Sequence, residues 1–252
     1  MATENSITVV VPALNEENHL AEAVADIVQA VEQSFDEYEI LVFNDGSTDR
    51  TGQIAEELAE RYEYVRAFHH KSPKCIGGVI REGLKRAKMD YFIYVDGKGA
   101  TSAEALGIIF AEKGKADLII SYATNVNERN IGRRIISRGF QTLLNILFRL
   151  NVKHYGNSIL YRSSQLKQFN IRTNSFGYQP EALIKMLKSG CSYVQVEYKD
   201  KFDIEARKSK AFKLTNIINV SKFILVTLWE IYIRKDTVKM SNIQDAAQTG
   251  AK

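Results

Sequence analysis

Cysteine is nearly absent: Cys75 and Cys191 are the 2 cysteines in 252 residues. Two cannot build a disulfide framework, and their spacing fits no metal-ligand pattern, so a stapled secreted module and a zinc fold are both excluded. A long apolar run is lacking as well. Nowhere do about 18 charge-free apolar residues follow one another, so a spanning helix is not expected. The nearest stretch, Ile217–Ile233, is interrupted by Asn219, Lys222 and Glu230. The polar start, Met1–Ser6, is not followed by a charged-then-apolar leader, and the expectation is a reducing, cytoplasmic compartment.

Acid is scarce in one half and base in the other. Residues 1–128 hold 12 Lys+Arg against 22 Asp+Glu, a net −10, and residues 129–252 hold 22 against 8, a net +14. The basic half points to an anionic partner: nucleic acid, a membrane surface or a phosphorylated substrate. A stacking platform of interleaved aromatic and basic residues is not evident, and nucleic acid is set aside. With 45% hydrophobic and 25% charged residues, the composition is that of an ordinary globular chain.

Short apolar runs alternate with amphipathic stretches. Strands are expected at Ile7–Val11, Glu39–Phe43, Tyr64–Phe68, Tyr91–Val95 and Leu118–Tyr122. Helices are expected between them at Asn15–Val31, Asp49–Tyr62, Gly77–Lys88 and Ser102–Phe110. Strands that are apolar throughout need cover on both faces, which means an α/β fold around a mostly parallel sheet. Further on come a long helix at Ile131–Leu150, short strands at Ser158–Tyr161 and Tyr193–Tyr198, and an apolar helix from Leu214 to Ile233.

Ligands in such sheets bind beyond the carboxyl ends of the strands. Three polar loops fall there: Pro12-Ala13-Leu14-Asn15-Glu16-Glu17 after the first strand, Asn44-Asp45-Gly46-Ser47-Thr48-Asp49 after the second, and Asp96-Gly97-Lys98-Gly99 after the fourth. Any one alone reads equally as turn or cap chemistry. Three on one rim define a cleft.

The first two loops, with their spacing, resemble the family-2 glycosyltransferases, and among these the dolichyl-phosphate mannose synthases and bacterial polyprenyl-phosphate enzymes. Gly77, Arg81 and Gly83, then Arg133 and Ser137, then Tyr178-Gln179-Pro180-Glu181 and Ser209-Lys210 extend the likeness to about residue 210. The resemblance implies a Rossmann-like glycosyltransferase A fold and a nucleotide-sugar donor. By position, Pro12, Ala13, Leu14 and Glu16 would line the nucleoside pocket, with Asp45 on the base or ribose. Arg81 would join them, although its residue type also suits a solvated helix face. Arg133, Ser137, Arg207 and Lys210 would hold an acceptor phosphate, which arginine grips bidentately.

The chain departs from the pattern at the metal motif. The family implies Asp-x-Asp holding Mg²⁺ or Mn²⁺ on the donor pyrophosphate, and here Lys98 replaces the second acid. An ammonium offers donors only and cannot ligate a hard cation. Three readings stay open. Asp96 holds the metal with water and phosphate oxygens, or Lys98 supplies positive charge to the pyrophosphate, or Lys98 points to solvent and activity is weakened. Arg129 stands a few residues beyond the arginine position after the fifth strand. Lys153 and His154 replace an acid, and Arg207 a glycine.

The expected function is inverting transfer of a hexose from a nucleotide sugar to a polyprenyl phosphate, with Asp96 and Lys98 at the reacting centre. The alternative is a degenerate nucleotide-sugar-binding module that regulates or scaffolds a partner. One domain over residues 1–235 is expected, with a donor half to 128, an acceptor half after it and a polar tail from 236. The amphipathic C-terminal helix would close the core, lie along a membrane or meet a membrane-bound subunit.

Overall fold

The run of β-branched residues near the start becomes β1 (Ser6–Ala13). Its side chains alternate, so Ile7, Val9 and Val11 enter one core and Val10 the other. A strand buried on both faces belongs at the centre of a sheet, and β1 lies there. It pairs in parallel with β2 (Glu37–Asn44) and with β4 (Tyr91–Tyr94), and β2 pairs in parallel with β3 (Val65–His69). The computed structural model describes residues 5–126, 131–175, 177–199, 201 and 214–234.

Three more strands complete one seven-stranded sheet in the order β3-β2-β1-β4-β6-β5-β7. They are β5 (Leu118–Ala123), β6 (Ile159–Arg162) and β7 (Tyr193–Tyr198). β7 is parallel to β5, whereas β6 runs antiparallel to both β4 and β5. The sheet is therefore mixed at this point, a reversal that hydrophobic periodicity alone does not encode.

Helices α1 (Leu20–Glu32), α2 (Thr51–Arg61) and α4 (Ala103–Phe110) cover one face. The other face takes α3 (Ile76–Arg86), α5 (Ile131–Phe148) and α7 (Tyr178–Lys188). A four-residue helix, α6 (Ser163–Leu166), follows β6, and α8 (Leu214–Leu228) runs into a π-helical turn at Trp229–Arg234. α4 carries a side-chain cap, with Ser102 Oγ accepting the Ala105 N–H at 3.2 Å. α1 starts five residues later than its periodicity suggests, because residues 15–17 are tied to the neighbouring loop. Neither cysteine is in a disulfide, and Cys191 is buried while Cys75 is exposed. Among the described residues no helix is long and apolar enough to cross a membrane. The tail from 236 lies outside the described residues.

α3 packs closest to the sheet at Gly83. A Cβ there would lie 2.4 Å from Cγ2 of Val10 and 2.9 Å from its Cγ1. Val10 is fully buried and has no room to yield. Gly83→Ala is expected to destabilise the fold by about 1–3 kcal/mol through overpacking. The check is a lower urea midpoint at unchanged slope, and an unchanged midpoint would mean that α3 moves to accept the methyl group.

Candidate active site

The carboxyl ends of β1, β2 and β4 bring the three polar loops together. Asn15 adopts φ 56°, a left-handed conformation that asparagine tolerates. Its N–H donates to Ser47 Oγ at 3.0 Å, and its own Oδ1 accepts from Thr48 N at 2.9 Å. The Glu16 N–H donates to Thr51 Oγ1 at 2.8 Å. Ser47 and Thr48 thus serve chiefly to stitch the second loop to the first, while Asp49 Oδ1 accepts the Thr51 N–H at 3.0 Å at the start of α2.

Asp45 is 4% exposed, and its N–H donates to the Ala13 carbonyl at 2.8 Å. Its Oδ1 accepts from Lys74 N at 2.8 Å and meets His70 Nδ1 at 2.7 Å. The far ring nitrogen of His70 lies 3.1 Å from Glu82 Oε2, so one buried imidazole bridges two carboxylates. Glu82 also receives Lys74 Nζ at 2.7 Å and Arg86 Nη2 at 3.0 Å. Burial alone would raise its carboxyl, but these cations outweigh it and bring the value down from 4.5 to about 2. His70 is the residue that sequence reasoning passed over. Its only signal was a pair of histidines at the end of the third apolar run.

The third loop hangs on the first. The Gly97 N–H donates to the Pro12 carbonyl at 3.1 Å, and a Cβ at Gly97 would meet that oxygen at 2.9 Å. Gly99 closes the turn at φ 70°. Lys98 Nζ, on this pinned loop, lies 2.5 Å from Asp96 Oδ2. Nearby, burial and the Asp96 charge raise the Glu16 carboxyl above its ordinary 4.5, with Lys98 and His19 opposing. His19 Nδ1 is 3.3 Å from Glu16 Oε2. Leu14 is exposed on the rim, and Ala13 is buried beneath it.

These residues bring one carboxylate, not two, to the place of the expected metal motif. Asp96 is the one acid left of the expected pair, and an ammonium already holds it. Among the described residues no cluster of three His, Cys, Asp or Glu side chains is placed to bind a metal. Arg81 is committed elsewhere: its Nη1 donates to the carbonyls of Ile171 and Arg172 at 3.1 Å each, and its Nη2 donates to Asn174. Glu181 is buried and spent in the same way, accepting from the N–H groups of Arg172 and Thr173 and from Lys185 Nζ.

Ser137 lines a cavity under α5 together with His154, whose sequence context gave no role. Arg133 is on α5, but its side chain is not described. Arg129, Arg207, Ser209 and Lys210 lie outside the described residues. Arg138 is exposed on α5 beside Ile131, Ile135, Leu143 and Ile146, which are exposed too. That helix is apolar on its outer face as well as its inner one.

A mostly parallel α/β sheet with a three-loop cleft at its carboxyl edge defines a nucleotide-binding architecture of the glycosyltransferase A type. Residues 8–170 match the sequence family Glycosyl transferase family 2, and the chain belongs to that family. It is 26% identical over 252 residues to a dolichyl-phosphate beta-glucosyltransferase of Trichomonas vaginalis, covering 91% of this chain and 77% of that one. Against the glycosyltransferase AglD of Haloferax volcanii it is 23% identical, covering 90% of this chain but 38% of the relative. A dolichol-phosphate mannosyltransferase of Pyrococcus furiosus is 30% identical over 138 residues, 53% of this chain and 38% of that one. Glucosyl-3-phosphoglycerate synthase from Mycobacterium tuberculosis, solved with Mn²⁺ and UDP-glucose, shares the fold with a TM-score of 0.63 at 17% identity, over 90% of this chain and 78% of its own. The homologues and structural neighbours are glycosyltransferases, and the chain is a hexosyltransferase-type enzyme by descent.

The Glu82 network carries a pH signature. Its folded value lies below the unfolded 4.5, so its contribution to stability is complete above about pH 4.5 and is lost as pH falls towards about 2. The stability gap between the wild type and Glu82→Gln should therefore narrow between pH 6 and 3. A gap constant across that range in denaturant titrations would refute the assignment.

Proposed function

We propose that this enzyme transfers a hexose, with inversion, from a nucleotide sugar to a polyprenyl phosphate at the cytoplasmic surface of a membrane. The observation that carries this reading is the convergence of Glu16, Asp45 and the Asp96–Lys98 pair on one edge of the sheet. In it, Pro12, Ala13, Leu14 and Glu16 line the nucleoside pocket, and Asp45, pinned by His70 and Lys74, accepts hydrogen bonds from base or ribose. A buried carboxylate discriminates strongly, since a ligand without the matching donor leaves it unpaired. Arg81 acts on this pocket indirectly, through the loop it holds at residues 171–174.

The acceptor nucleophile is already an anion, so no general base is needed and positioning with charge stabilisation suffices. A phosphate oxygen attacks the anomeric carbon on the face opposite the leaving group. The bond to the nucleoside diphosphate breaks, and both bonding electrons leave with the diphosphate. The Lys98 ammonium, held beside Asp96, brings positive charge to the charge that develops there. No step is assigned to a cation. Arg133, Ser137, Arg207 and Lys210 are proposed as the acceptor-phosphate side, within a single domain of which residues 1–128 serve the donor and 129–235 the acceptor.

The outer face of α5 supports membrane docking. Ile131, Ile135, Leu143 and Ile146 form an exposed stripe, and Trp229, Tyr232 and Ile233 of the π-helical turn are exposed as well. The two segments meet where Tyr232 Oη donates to the Leu147 carbonyl at 3.1 Å and its ring stacks on Phe148 at 6.4 Å. Arg138, exposed on the same helix, suits an anionic surface.

The replacement at Lys98 favours one other reading, a nucleotide-sugar-binding module without transfer. Labelled nucleotide sugars, polyprenyl phosphate and a chelator decide between the two. The expected result is lipid-linked product unaffected by the chelator, with Lys98→Asp losing turnover about 10²–10³-fold and regaining part of it with Mn²⁺. Nucleotide binding with no product from any donor would establish the module instead. Separately, the protein should float with vesicles containing anionic lipid, and Ile135→Ser with Ile146→Ser should weaken that binding severalfold. Flotation equal to wild type would remove α5 from the membrane contact.

A further inference from the structure

The apolar stretch Ile217–Ile233 holds a single acid, Glu230. α8 and the π-helical turn put that acid inside and large apolar side chains outside. Glu230 is 3% exposed, whereas Leu225 is 66%, Trp229 45% and Ile233 70% exposed. A helix on the surface of a domain ordinarily does the reverse. Phe223, Ile224, Thr227 and Ile231 are buried on the same side as Glu230, and Phe223, Ile224 and Ile231 enter the core that α7 also joins. Leu225, Trp229, Tyr232 and Ile233 recur at helical intervals on the opposite side. Both sides of the segment are therefore apolar.

Two cations of the domain meet Glu230. Its Oε1 lies 3.2 Å from Arg172 Nη1 and its Oε2 2.7 Å from Lys185 Nζ. Lys185, on α7 and largely buried, also donates to Glu181 Oε1 at 2.6 Å and to the Asn170 carbonyl at 2.8 Å. The two acids and two cations balance. The attraction between Glu230 and Lys185 is offset by the cost of taking both from water, so the pair adds little net stability over apolar side chains of similar size. What it supplies is a choice of face. Burial alone does not distinguish two apolar sides, and only the side that carries Glu230 answers Lys185 and Arg172.

We infer that Glu230 is a positioning residue: its pairing with Lys185 and Arg172 sets the rotation of α8 and the π-helical turn, so that Leu225, Trp229 and Ile233 are presented to a membrane surface. A bilayer is the occupant that this face fits. Trp229 and Tyr232 bring the amphipathic rings of an interfacial segment, Arg234 sits over the Trp229 ring at 5.2 Å, and the exposed stripe of α5 adjoins at Tyr232. The inference rests on the membrane reading above and adds what orients that contact.

Trp229 is the one tryptophan of the chain, so its fluorescence reports this face directly. In the full-length wild type, acrylamide should quench it readily, and phosphatidylcholine–phosphatidylglycerol vesicles should shift its emission to shorter wavelength and shield it. Glu230→Gln removes the charge and keeps the shape. It should reduce quenching in the absence of vesicles and weaken vesicle binding severalfold, because apparent affinity falls with the fraction of correctly turned helix. Arg172→Gln, at the solvent-exposed partner, should act in the same direction, and the double variant should fall no further than Glu230→Gln alone. Wild-type quenching and vesicle affinity in both single variants would overturn the inference, even with lowered urea midpoints, since Glu230 would then have a structural role alone. Quenching that rises in the variants, the sign of a frayed turn, would overturn it as well. A wild type whose emission ignores vesicles would sink the membrane reading itself, and reduced quenching in Glu230→Gln would then still assign the rotation to Glu230.

Discussion

Two carbonyl oxygens at the end of β1 hold the site in register. The Pro12 carbonyl accepts the Gly97 N–H, and the Ala13 carbonyl accepts the Asp45 N–H. The strand that supplies them is buried on both faces and flanked by parallel neighbours, so the oxygens have nowhere to move. Asp45 and Lys98 come from segments more than fifty residues apart, yet each is placed relative to the same two peptide units. The site is therefore an extension of the core.

The electrostatics follow from that rigidity. A carboxylate held in a fixed position needs fixed partners, and the chain supplies them at two of the loops. His70 and the Lys74 N–H stand against Asp45, and Lys98 against Asp96. His70 and the Lys74 N–H share one oxygen of Asp45, whereas Lys98 engages both oxygens of Asp96 through its ammonium and its N–H. At Lys98 the counter-charge is built into the polypeptide.

Much of this was legible before any coordinates. The mostly parallel α/β sheet followed from apolar runs alternating with helices, and the three loops announced themselves by composition. What escaped had physical reasons. β6 reverses direction, and a four-residue apolar strand reads the same either way. His70 acts through tertiary contacts with Asp45 and Glu82, which no local pattern encodes. Arg81 looked like a ligand-binding cation because charge is visible in a sequence and commitment to backbone carbonyls is not. Glu230 was visible as an interruption of an apolar stretch, but its inward direction emerges only when α8 is packed against α7. Arg207 and Lys210 lie outside the described residues.

Helix α3 touches every part of this arrangement. Glu82 reaches His70 on the nucleotide side, Arg81 clasps the loop at 171–174, and Ile76 and Ile80 wall the cavity. Gly83 presses the same helix against Val10, so it is seated without slack. At 1.5 Å per residue, roughly 9 Å of helix axis separates Ile76 from Glu82. α3 is thus a ruler: the span between the His70 network and the cavity is set by a count of peptide units.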